Sequence, residues 1–303
     1  MKVRGGSDMR SLVADGSQPE VDRAAYRLAK DFLTDSLLRS GIEEDASDLI
    51  EGYLHFSTAN RPETTSGLYY LLLESGQSAE RKAKVIGGAI GGVRELKPVL
   101  CEFEPAQVLE KYASEREVFE AIMAQLEPRG NINQTSKGLW PIYCRTILSG
   151  ARFLSQFGSA KDFYDWVDFF DEDERARPAL PMLVAQEIYG IGFALACDFL
   201  MQLGYENFSK PDVHVKAIFP ALGLCPLGTS DYEVFKAVAR VARNVGVTPY
   251  NVDKLFWLIG SGYFYNDEQI GKKGRIGSRK EAFIALVQPA LEEMRAEEAR
   301  LHA

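Results

Sequence analysis

The chain has 303 residues, 46% of them hydrophobic, and a formal net charge of −8. That length supports a large core or two domains, and the acidic balance argues against a general nucleic-acid coat while leaving room for a local basic cleft. No run of 18 apolar residues reads as a membrane span. Cys101, Cys144, Cys197 and Cys225 form no C-x-x-C pair, which argues against a clustered zinc or iron–sulfur site and fits a reducing, cytoplasmic setting.

In chain order, residues 1–19 mix glycine, serine and charges without the apolar stretch of a secretion signal, and are expected to be a flexible tail. From Val21 to Ser40, the residues Ala25, Leu28, Phe32, Leu37 and Leu38 suit one helical face. Ser66 to Ser75 is apolar enough to be buried. Gly87, Gly88, Gly91 and Gly92 make a small-residue patch, read as close helix packing or a loop. Pro105 opens a helix expected to reach Tyr112. Ser114, three residues before Glu117, has capping-box spacing for a helix to Leu126. Residues 128–136 form the clearest loop of the first half. Helices are then expected from Leu139 to Phe157 and from Ala160 to Phe170, followed by a solvated connector at 171–178. Further helices are expected at 181–188, 193–204, 213–222, 230–244 and 249–260, with a charged last helix at 278–301. Strand signals are scarce and there is no internal repeat, so the fold class is all-α.

The stretch 181–204 carries the most information. Ile188 precedes a turn made by Gly190, Ile191 and Gly192. Two glycines around one apolar residue permit a very tight helix–helix turn and a close approach of another backbone. The second helix then starts near Phe193 and Ala194 with its N–H groups pointing outward, which suits a phosphate. Such a pair can grip a DNA strand by its backbone without reading sequence. The same turn also serves proteins that never meet DNA.

Downstream stands Asp212-Val213-His214-Val215, with Asp212 twenty residues after Gly192. Together, the apolar-x-Gly-Ile-Gly hairpin and the Asp-x-His-Val segment resemble the helix-hairpin-helix DNA glycosylase superfamily, the relatives of endonuclease III and 8-oxoguanine glycosylase. The resemblance is specific over 180–220, weak over 135–180 and absent from the first hundred residues. It implies two helical domains flanking a DNA-binding cleft. One would be a helical-barrel domain at 101–205 ending in the hairpin; the other would join 20–100 to 206–303 and carry Asp212.

The resemblance further implies that Asp212 is catalytic, stabilising positive charge on deoxyribose as a base leaves and activating water. From the residues alone, Asp212 could equally cap the helix that follows it, and His214 reads as structural rather than catalytic. Members that also cut the strand carry a lysine where this chain has Ala194, so the resemblance implies a monofunctional enzyme that leaves an abasic site. Lys210 and Lys216 lie near Asp212 as alternative nucleophiles.

A target base must be flipped into a pocket. Candidates to line it are Trp140, Tyr189, Phe193 and the cluster Phe256, Trp257, Tyr263, Phe264 and Tyr265, at least two of these five being plain packing and Tyr263 and Tyr265 falling in a loop. Asn131, Asn133 and Gln134 are candidates for the wedge that fills the gap in the duplex. Lys272, Lys273 and Arg275, with Arg279 and Lys280, form the densest basic run and read as phosphate contacts or a solvated loop. No metal or cofactor is expected, and the expected partner is double-stranded DNA with a modified base, bound by a monomer. Oxidised, alkylated and phage-type hypermodified bases all stay open as substrates, repair and anti-phage defence as roles. The competing functions are a non-catalytic DNA-binding module built on the same hairpin and a helical protein-interaction domain.

Overall fold

The computed structural model describes residues 18–42, 46–56, 61–77, 85–130, 132–133, 135, 137–264 and 275–301. Among them regular structure is helical throughout, as the patterning requires; the β pairing is limited to an isolated antiparallel bridge between Tyr263 and Arg275. No described helix is long and apolar enough to cross a membrane. The chain divides into two compact units.

The terminal unit combines the chain up to Leu54, Val213–Thr229 and everything from Ala237 onward. Its helices are α1 (Gln18–Leu38), α2 (Ala46–Leu54), α11 (Val215–Ala221), most of α12 (Asp231–Val245), α13 (Pro249–Ser261) and α14 (Lys280–Leu301). Helix α1 begins two residues inside the expected tail, where Gln18 Nε2 donates to Asp22 Oδ1 at 2.8 Å. Its buried stripe runs Val21, Ala25, Ala29, Leu33 and Leu37, leaving Leu38 exposed, so the face is rotated from the expected one. Phe256 of α13 lies edge-on to Phe219 of α11 and Phe283 of α14, with centroids 5.1 and 6.0 Å away. A capping box between Thr248 and Asn251, with Pro249 in the first turn, starts α13, and left-handed Gly262 ends it.

The hairpin unit spans His55–Asp212 and takes in Ser230–Lys236. It contains α3 (Thr65–Gly76), α4 (Val85–Ile90), α5 (Pro105–Lys111), α6 (Glu115–Leu126), α7 (Leu139–Leu154), α8 (Ala160–Asp171), α9 (Ala179–Glu187) and α10 (Phe193–Gln202). Helices α3, α5 and α6 pack on α7, which is apolar along most of one side. Gly150 lets α3 come close: a Cβ there would stand 2.8 Å from Leu72 Cδ2. Helix α7 stops at Leu154, short of the expected Phe157, whose ring turns into a cluster with Phe153, Phe163 and Trp166.

Two differences from the sequence reading concern the domain boundaries. Residues 61–100, expected to join the terminal segments, belong to the hairpin unit because Leu68, Leu72, Val93 and Leu96 are buried in its core. Asp212, expected in the other domain, closes this unit. The sequence also carries no sign of the left-handed turn at Cys101, Glu102 and Phe103, with φ of 52°, 58° and 63°. Such a turn costs about 1–2 kcal/mol per residue. It brings the Phe103 ring against Tyr69 and Tyr70, at 6.5 and 5.3 Å.

Candidate functional site

The hairpin is built by a short break in helicity. Helix α9 ends at Glu187; buried Ile188 is extended (φ −115°, ψ 111°), and Ile191 N–H closes the turn onto the Ile188 carbonyl at 3.2 Å. Gly190 takes φ +80°, and Ile191 is buried, its Cδ1 3.3 Å from where a Cβ on Gly76 of α3 would stand. Two hydroxyls of α7 pin the turn: Thr146 Oγ1 donates to the Tyr189 carbonyl at 2.8 Å, and Tyr189 N–H donates to Ser149 Oγ at 3.0 Å. A Cβ on Gly190 would lie 2.7 Å from Thr146 Oγ1, so the fold itself requires glycine there.

Gly192 is different. It is exposed, its backbone is extended (φ −89°, ψ 176°), and an added Cβ would meet nothing within 4 Å. Neither backbone strain nor packing demands glycine at this N-cap, and no side chain caps α10. Phe193, Ala194 and Leu195, in the first turn of α10, line a cavity beside a residue with no side chain, an arrangement that admits an anion closely.

A cavity of about 340 Å³ opens here, lined by the hairpin, Ile142 and Asp231. Ala194 is on its wall, and the Phe193 ring is half-buried against Tyr232 and Phe235, at 6.4 and 5.7 Å, so Phe193 packs and offers only its backbone. Tyr189 is 48% exposed. Arg145 lies over its ring at 4.9 Å, donates to its hydroxyl at 2.8 Å, and sits 3.6 Å from Glu115.

Asp212 stands half-buried in the segment between α10 and α11. Its N–H donates to the Lys210 carbonyl at 2.7 Å, a tight turn around buried Pro211. Lys210 Nζ lies 3.1 Å from Asp198 Oδ1 and ties this segment to α10; Lys216 is exposed. The N-cap position of α11 falls on His214, two residues beyond Asp212. His214 is packed on Gly260 of α13, within the terminal unit.

Trp140 and Asn133 meet at a second cavity of about 540 Å³. Trp140 is 5% exposed and edge-on to Tyr143, so it is mostly core. Asn133 Oδ1 accepts from Thr135 N–H at 2.9 Å, an ordinary Asx turn. In the terminal unit, the Arg275 guanidinium covers the half-exposed Tyr263 ring at 4.7 Å, and Lys254 covers Trp257 at 5.0 Å. Phe256 and Phe264 are fully buried and serve packing. Asn131, Gln134, Tyr265, Lys272 and Lys273 lie outside the described residues.

The structure thus gathers Tyr189 to Ala194 into one site, places Asp212 in the same unit, and puts Tyr263 and Arg275 in the other. Sequence reading missed Thr146, Ser149, Arg145 and Asp231, which lie 37–44 residues from the Tyr189–Ala194 turn and carry no motif. Among the described residues, no three His, Cys, Asp or Glu side chains are grouped to hold a metal ion. Comparisons with protein-family models, curated proteins and solved structures returned no match.

Proposed function

We infer that this chain is a monofunctional DNA N-glycosylase that grips a strand at the hairpin and removes a modified base with Asp212. The observation that carries the reading is Gly192, a glycine that the fold does not need, set at an uncapped helix start. A side chain there would obstruct a partner and nothing else. In this reading a phosphate oxygen accepts from the N–H groups of α10, and the duplex is held while one nucleotide is flipped.

The Asp212 carboxylate then stabilises the oxocarbenium-like sugar as the bond from C1′ to the base nitrogen breaks. Water adds to C1′, its proton passes to Asp212, and the base departs with the bonding electron pair and is protonated. Ala194 supplies no amine and Lys210 is held by Asp198; in this reading Lys216 takes no part in the chemistry and an abasic site is left.

The test is to incubate the protein with a panel of genomic DNAs, hypermodified phage DNA included, and identify released bases by mass spectrometry. Asp212→Asn is expected to retain DNA binding and lose base release by about 10²-fold or more. Normal excision by that variant would overturn the role of Asp212. Intact DNA across the whole panel would leave only a DNA-binding module.

A further inference from the structure

The hairpin cavity has an electrostatic peculiarity. Among the described residues lining it, the charged one is Asp231, a carboxylate, and there is no lysine or arginine. Backbone N–H groups and a helix dipole attract phosphate, but a carboxylate in the same cavity opposes it. In a chain of net charge −8, a polyanion needs side-chain cations close by.

Arg145, over the Tyr189 ring, is one such cation, and two more stand at the second cavity. Its described lining includes Arg129 and Lys137 and no carboxylate. Both side chains are exposed, and neither makes a salt bridge among the described residues. Gly88 and Gly130 also border this space, and a Cβ on either would meet nothing within 4 Å, so the wall is open to close approach. The two cavities share the start of α7: Trp140 lines one and Ile142 the other, about 200° apart around the helix axis. They therefore flank a single helical turn within one unit.

Resting on the DNA-binding reading above, we propose that Arg129 and Lys137 are the charged anchor for the nucleic-acid backbone, which crosses the start of α7 onto the hairpin. Nucleic-acid affinity then depends on the two exposed side chains of Arg129 and Lys137.

The experiment uses the full chain and a fluorescent DNA duplex, with affinity read by anisotropy over a series of salt concentrations. Arg129→Gln with Lys137→Gln is expected to weaken binding at least tenfold at about 50 mM salt. It should also flatten the slope of log affinity against log salt by about 1.8, at roughly 0.9 per phosphate contact. Lys161→Gln with Arg175→Gln, which removes the same formal charge from exposed positions in the same unit, should leave the slope unchanged. An unchanged slope in the Arg129/Lys137 variant overturns the anchor, as does an equal loss in the control pair. If Gly192→Ala weakens binding while the Arg129/Lys137 variant does not, the hairpin reading stands and the anchor falls. If the reverse holds, the anchor stands and the hairpin reading falls. No binding by the unmodified chain overturns both.

Discussion

Thr146 and Gly190 are fitted to each other: Thr146 Oγ1 donates to the carbonyl just before Gly190 and lies 2.7 Å from where a Cβ on Gly190 would stand. The two hairpin glycines thereby separate into one that the fold requires and one that it does not.

Gly190→Ala is expected to lose about 2–3 kcal/mol, from the left-handed backbone and the displaced hydroxyl. Gly192→Ala should change stability by less than about 1 kcal/mol, because its backbone is ordinary and its surroundings are empty. DNA affinity should nevertheless fall severalfold in Gly192→Ala. Denaturant unfolding and anisotropy on the two variants check this; equal stability losses would remove the distinction.

Gly260 presents the opposite sign to the usual glycine in a helix. Replacing a mid-helix glycine by alanine normally gains up to about 1 kcal/mol. Here the new Cβ would stand 2.4 Å from His214 Cβ, which is fixed to the backbone and cannot swing away. Gly260→Ala should therefore lose about 1–3 kcal/mol. Adding His214→Gly should recover part of that loss, whereas His214→Ala should not, as a thermal-unfolding cycle would show.

Asp22 is fully buried and is held by Arg240 Nε and Nη2 at 2.9 and 3.1 Å, Asn244 Nδ2 at 2.7 Å and Gln18 Nε2 at 2.8 Å. Removing one partner of such a network strands the others. Asp22→Ala should cost about 3–5 kcal/mol by denaturant unfolding. A loss below 1 kcal/mol would mean that water replaces the carboxylate.

Burial pushes the Cys144 thiol up to about 12, with Glu115 adding to the effect. The thiolate is the reactive form, so Cys144 should resist iodoacetamide at pH 8 until the chain unfolds. Peptide mapping should find the half-exposed Cys101 and Cys225 labelled before it; early labelling of Cys144 would show that the core of this unit opens readily.

Much of the helical content is legible because local chemistry and patterning declare it. Ser114 with Glu117, and Pro105 at a helix start, mark ends that the structure keeps. The Gly190-Ile191-Gly192 turn is equally local, since φ > 0 and a missing Cβ are properties of the residue itself. The left-handed turn at 101–103 is not legible, because none of its residues favours that backbone and only the burial of Phe103 against α3 accounts for it.

By itself the sequence determined the helical class of the described residues and the position of the tight turn at Gly190, Ile191 and Gly192. Only the tertiary structure decided which glycine the fold needs, since that depends on Thr146 arriving from a helix 44 residues earlier. It also decided that Asp231 faces the hairpin while Arg129 and Lys137 gather across the start of α7. Burial faces and charge neighbourhoods are set by which helices pack together, and packing joins residues that share no local pattern.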